Sequence, residues 1–239
     1  METPSPDIEL HIKAYYFDGG DKPDPLGRYR SWEECFNHFS ALRAEFPGGN
    51  GLEGSSEKNA ALHLGFYLAS WGMFRGSSNL MEHSYLIHIP AVRILLESGY
   101  GFLMKADPTA IRRSQMEQTY CDGILDLQAR LKAVYDDGLK QRDPVSLTDT
   151  LLTKILLGTL ACTPAYDNFF KSGLARAGLK PQSRLEYSLR EVLQFYQNHE
   201  RDFEKTRLQL DGAGISYPPM KLVDMSFWQL GQPAPPPTK

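Results

Sequence analysis

The sequence predicts an all-α fold built as one globular domain, and three observations carry that expectation. Apolar residues recur at helical spacing in run after run. No stretch shows the strict alternation bounded by turn residues that a sheet needs. Start and stop signals punctuate the chain at helix-length intervals. These place about seven to nine helices in a domain over 31–231, between an N-terminal loop or extended segment, 1–30, and a mobile Pro-rich tail, 232–239. Two apolar runs, 60–80 and 148–162, are the expected buried inner layer.

In chain order, Leu10–Phe17 is the one ordered piece expected before residue 30, as a brief helix or an extended segment. Ser31 and Glu34 have capping-box spacing and are expected to open a helix running to about Phe46. Trp32, Phe36 and Phe39 fall on one face of it. Residues 47–56, rich in Gly and Ser, read as loop. The run 60–80 is apolar around its circumference, which marks a helix buried on every side. Pro90 predicts a break at His88–Ile89 and a restart with proline in the first turn. Asp107-Pro108 repeats the start signal for a long amphipathic helix to about Tyr135. Ser146 or Thr148 opens the second apolar helix, and Pro164 is expected to start the next. Residues 183–208 read as one charge-laced helix, and Tyr217-Pro-Pro leads into a short apolar helix ending at Gly231.

Composition narrows the class. A net charge of −3 argues against a protein whose main task is coating nucleic acid or an anionic membrane. His63 and Arg75 interrupt the most apolar run, so no membrane span is expected. Three widely spaced cysteines imply no disulfide framework, and the first residues lack a secretory signal, so a reducing, cytoplasmic home is expected. No zinc, di-iron, Walker, Rossmann or nucleophile-elbow pattern is present, so no metal and no cofactor is implied. Oligomeric state is not encoded in any pattern here.

What remains is charge inside apolar helices, where an unpaired ion costs several kcal/mol. Arg75 follows Trp71-Gly-Met-Phe, Lys154 sits among leucines, Asp167 lies between Tyr166 and Asn168, and Lys221 and Asp224 are a turn apart. Pairing would satisfy them as Lys154 with Asp167, Lys221 with Asp224 and Arg75 with Glu82. Alternatively they line a cavity between helices, where ligand sites of helical proteins form. Small residues beside Arg75, including Ser77 and Ser78, suit close approach of a carboxylate or phosphate to the guanidinium. The candidate catalytic residues are then Lys154, Asp167, His88 and Tyr166. The candidate substrate-binding residues are Arg75, Ser77, Ser78, Trp71, Lys221 and Asp224.

Four blocks, RYRSWEECF, LHLGFYLASWGMFRGSS, TKILLGTLACTPAYDNFF and YPPMKLVDMSFWQLG, resemble those of a bacterial and fungal helical family with no assigned activity. That resemblance implies no reaction. The segment TKILLGTLACTPAYD is also similar to the lysine-to-aspartate segment of helix-hairpin-helix DNA glycosylases, which implies Asp167 as catalytic and Lys154 as its companion. Three functions fit the sequence. The first is a metal-independent enzyme doing acid–base chemistry on a small polar or anionic metabolite. The second is a glycosylase-type enzyme acting on nucleobases or nucleic acid, which would need a basic face around Arg112, Arg113, Lys171 and Arg176. The third is a ligand-sensing or interaction module without catalysis.

Overall fold

The computed structural model describes residues 6–17, 23–75, 80–139, 147–179, 184–210 and 216–233. It is all-α: eleven α-helices and four short 3-10 turns, with no strand among the described residues. The helices are α1 (Ile8–Phe17), α2 (Tyr29–Glu45), α3 (Ser55–Ser70), α4 (Ile89–Leu96), α5 (Pro108–Arg113) and α6 (Glu117–Leu139). They continue with α7 (Asp149–Thr159), α8 (Asn168–Arg176), α9 (Leu185–Asn198), α10 (Glu200–Leu210) and α11 (Pro219–Leu230). None of the helices is long and apolar enough to cross a membrane, among the described residues. The proposed tail beyond 233 lies outside the described residues.

Helix α7 is the centre. Every residue from Leu151 to Thr159 is buried, as its uninterrupted apolar run predicts, and Thr148 caps it by accepting from the Leu151 amide. Helix α2 lies against it, its Trp32 Nε1 donating to the Leu157 carbonyl at 3.0 Å. Trp32, Phe36 and Phe39 form the buried face expected of α2. The start of α2 differs, however: it begins at Tyr29 with no side-chain cap. Ser31, two residues further in, bonds instead to the Arg28 carbonyl and the Ser70 hydroxyl.

The run 60–80 is not one helix, nor buried on all sides. Helix α3 stops at Ser70, Trp71 is its C-cap residue, and Gly72 turns the chain with φ +71°, a left-handed conformation that glycine adopts without strain. Leu62 and Phe66 face outward, Phe66 at 69% exposure, because only one side of α3 meets the body. Arg75 therefore stands beyond the helix rather than on it. The stretch 47–56 is ordered by a 3-10 turn at 47–49 and by Leu52, which is buried.

Other boundaries follow local signals the apolar pattern could not resolve. The break at His88–Ile89 is present, with Pro90 in the first turn of α4. Asp107 caps α5 by accepting from the Thr109 and Ala110 amides, but the expected long helix is interrupted at 114–116, where Gln115 has φ +57°. The 183–208 helix is likewise two, α9 and α10, joined at His199. Pro164 does not start a helix. The chain stays extended until Asp167, whose carboxylate caps α8 by accepting from the Phe170 amide at 3.0 Å.

Helices α8 and α11 form the tightest crossing. A Cβ on Gly173 would lie 1.9 Å from the Phe227 carbonyl oxygen, and one on Gly231 would lie 1.8 Å from that of Phe169. The two backbones touch where no side chain fits. Leu222 and Phe227 are buried and Trp228 half-buried, so the last helix docks on the body as its apolar run predicts.

Candidate functional site

One cleft of about 200 Å³ opens where the end of α3, the start of α2, α7 and the α8–α11 pair meet. Its wall brings together Trp71, Arg75, Lys154 and Asp167 from the sequence-derived set. Arg28, Phe169 and Trp228 complete it, with Met73, Thr150 and Asn168.

Local rules explain the placement of each side chain. Lys154 projects from the middle of α7, which would bury it unpaired. Its ammonium meets Asp167 Oδ2 at 3.0 Å, and the side chains are only 4% and 15% exposed. Asp167 is held from its other oxygen by the Phe170 amide, so capping of α8 aims it at Lys154. Thr150, one turn before Lys154, and Thr153, its immediate neighbour, tie the extended segment down: Thr150 Oγ1 donates to the Tyr166 carbonyl and Thr153 Oγ1 accepts from the Tyr166 amide. The Arg75 guanidinium folds back over Gly72, where a side chain would clash with it.

Three aromatic rings stand beside this pair. Tyr15 and Trp71 are parallel, 5° apart with centroids at 6.1 Å, and Trp228 is perpendicular to both, at 5.4 Å and 5.9 Å. The exposed Arg28 guanidinium lies 4.3 Å over the Trp71 ring and 5.5 Å from that of Trp228. The cleft thus carries three cations, Arg28, Arg75 and Lys154, against the single carboxylate of Asp167.

The remaining candidates fall elsewhere. Lys221 and Asp224 pair at 2.9 Å as expected, but behind the cleft wall. Lys221 also donates to the Tyr15 hydroxyl and is enclosed by the Tyr15, Trp32 and Trp71 rings; burial pushes its ammonium below the usual lysine range, opposed by Asp224. Asp224 accepts from the Ala165 amide, so the pair holds the segment leading to Asp167. His88 is fully buried against Tyr135, its Nδ1 2.7 Å from that hydroxyl, and burial lowers it to about 4. It is not among the residues that line the cleft. Tyr166 uses its backbone near the cleft while its ring is buried against Phe170, and burial pushes its hydroxyl well above the usual tyrosine range. Ser77 and Ser78 lie outside the described residues.

The basic face that nucleic-acid binding would need is largely spent on internal contacts. Arg112 bonds Gln197 and Glu117, Arg113 approaches Glu200 at 3.9 Å, and Arg176 donates to the Leu230 and Gln232 carbonyls. No group of three or more His, Cys, Asp or Glu side chains arranged to hold a metal occurs among the described residues.

Sequence reasoning missed Arg28, Phe169 and Trp228. Trp228 was legible as a docking residue of α11, and Phe169 sits beside Asp167, but nothing in the linear pattern places Arg28 over Trp71. No protein-family model, curated protein or solved structure matches the chain.

Proposed function

We propose that the cleft is the active site of an enzyme that acts by acid–base chemistry on a small anionic metabolite. The observation that carries this reading is the Lys154–Asp167 pair, 3.0 Å apart on the wall of a cleft whose other charges are the guanidinium groups of Arg28 and Arg75. Guanidinium is suited to holding a carboxylate or phosphate through paired hydrogen bonds. With the anion held there, Asp167 can accept a proton from the substrate while Lys154 donates one to an oxygen gaining charge. Asp167 is positioned for this by the α8 amide and Lys154 by the rigid buried helix beneath it. No step of this chemistry requires a metal.

The test is incubation of purified protein with a cell metabolite extract, read by untargeted mass spectrometry, beside Lys154→Met. A metabolite depleted by the wild type and untouched by the variant supports the reading. A metabolite that is bound but never converted moves the protein to the ligand-sensing class.

A glycosylase-type reading has one observation in its favour: the same lysine and aspartate that the resemblance pairs are in contact beside stacked aromatic rings, which suit a nucleobase. The spent arginines weigh against a nucleic-acid surface. A salt-dependent gel shift with single-stranded or duplex DNA would revive it.

A further inference from the structure

The cleft has a second compartment, and its walls define the shape of the ligand. Of about 80 Å³, it is lined by Tyr15, Gly27, Arg28, Tyr29, Trp71, Trp228 and Gln229. It shares Arg28, Trp71 and Trp228 with the larger compartment. Two of its rings are parallel, with centroids 6.1 Å apart, and the third is perpendicular to both, so the lining offers ring faces and a ring edge. Flat groups are held by such faces and edges through stacking and edge-to-face contact. Three cations lie over the Trp71 ring, Lys154 at 5.3 Å, Lys221 at 5.4 Å and, nearest at 4.3 Å, the planar guanidinium of Arg28, an exposed side chain at the common boundary of the two compartments.

We infer that the ligand is bipartite: a planar ring seated against Tyr15, Trp71 and Trp228, joined to an anionic group directed to Arg75 and Lys154. The inference rests on the reading of the larger compartment as an anion site. At about 80 Å³ the smaller compartment is well below the roughly 150 Å³ cavity that takes up a benzene ring, so the ring enters by displacing Arg28 from the Trp71 face. Displaced, that guanidinium remains next to the anion and adds to its hold. Guanidinium and aromatic ring stack on an indole in the same manner, and Arg28 covers Trp71 until the ligand arrives.

Groups of aromatic rings also take quaternary ammonium ions. The charges here oppose that occupant. Arg28, Arg75 and Lys154 line the cleft and Lys221 lies behind Trp71, whereas Asp167 and Asp224 are each bonded to a lysine.

Isothermal titration calorimetry on the full chain tests this with five probes: phenyl phosphate, inorganic phosphate, phenylacetate, acetate and tetramethylammonium. The ring-bearing anions are expected to bind at least tenfold more tightly than phosphate or acetate. Tyr15→Leu, at a position that lines only the smaller compartment, should erase that advantage while leaving the affinity for phosphate within twofold. Arg75→Met should weaken phosphate and phenyl phosphate alike. Equal affinity for phosphate and phenyl phosphate overturns the ring subsite but leaves the anion site standing. Binding of tetramethylammonium in preference to the anions overturns the assignment of charge. No binding by any of the four anions overturns the anion site itself, and the bipartite ligand with it.

Discussion

Lys154 and Asp167 are bonded to each other, yet removing one should cost far more than removing the other. Replacing Asp167 with asparagine retains a good N-cap residue for α8 but leaves the Lys154 ammonium, 4% exposed, beside a neutral amide. An ammonium left buried without its counter-charge costs about 3–5 kcal/mol. Lys154→Met removes the charge from the more buried partner and puts an apolar chain of similar length among Leu151, Ile155 and Leu157, where it packs. The Asp167 carboxylate then keeps the Phe170 amide and its 15% exposure to the cleft, so the cost falls to about 1 kcal/mol. At about 2–4 °C per kcal/mol for a chain of this size, Asp167→Asn should lower Tm by roughly 6–20 °C and Lys154→Met by roughly 2–4 °C. Differential scanning calorimetry of both variants and of the double variant measures the asymmetry and the coupling together. Equal losses, or a larger loss for Lys154→Met, would refute the view that burial rather than pairing sets the cost.

Gly173→Ala should destabilise by about 3 kcal/mol or more in urea unfolding, because the added methyl meets the Phe227 carbonyl, whereas Gly99→Ala, with nothing within 4 Å, should be close to neutral. Burial holds His88 neutral by lowering it from its ordinary 6.5 to about 4. Between those values the unfolded chain binds the extra proton, so stability should rise with pH across that window, by about 3 kcal/mol in all, and be flat in this term above it. His88→Gln should reduce the rise seen by denaturant titration at each pH and leave the part that His38, also lowered to about 4 by burial, contributes. All three cysteines are buried, and burial pushes Cys121 up to about 11 and Cys162 up to about 12, so a thiol-reactive dye should label none until denaturant is added.

Much of the fold was legible because its strongest signals are local. Thr148 caps α7, Asp107 caps α5 and Pro90 restarts α4 through contacts within a few residues of each other. The misreadings occur where tertiary contact overrides the pattern. Leu62 and Phe66 are apolar but face solvent, so α3 resembled a fully buried helix that it is not. Gly72 marked the true end of that helix: a glycine was the available signal, and the structure gives it a left-handed φ. The pairing of Lys154 with Asp167 was legible because charge in an apolar run demands a partner, and that demand is visible in one dimension. His88 and Tyr166 are not among the cleft-lining residues, and a titratable side chain on an apolar run is just as well explained by packing. Arg28 stacks on a residue 43 positions away across a turn, and only the folded chain brings the two together.

The backbone contact between α8 and α11 has a consequence for how the cleft responds to an occupant. Phe169 and Trp228 stand on those two helices, so that wall moves only if the glycine crossing opens. Trp71 to Arg75 follow the end of α3 and the segment before Tyr29 precedes α2, so both lie outside the helices and carry local turn bonds such as Met73 N–H to the Leu68 carbonyl and Gly27 N–H to that of Asp24. Amide hydrogen exchange should therefore be uneven across the cleft: slow in α8 and α11 with or without an occupant, and faster in the two facing segments until one binds. The entropy lost on binding would fall on those segments alone, and mass spectrometry of exchanged peptides would locate it there.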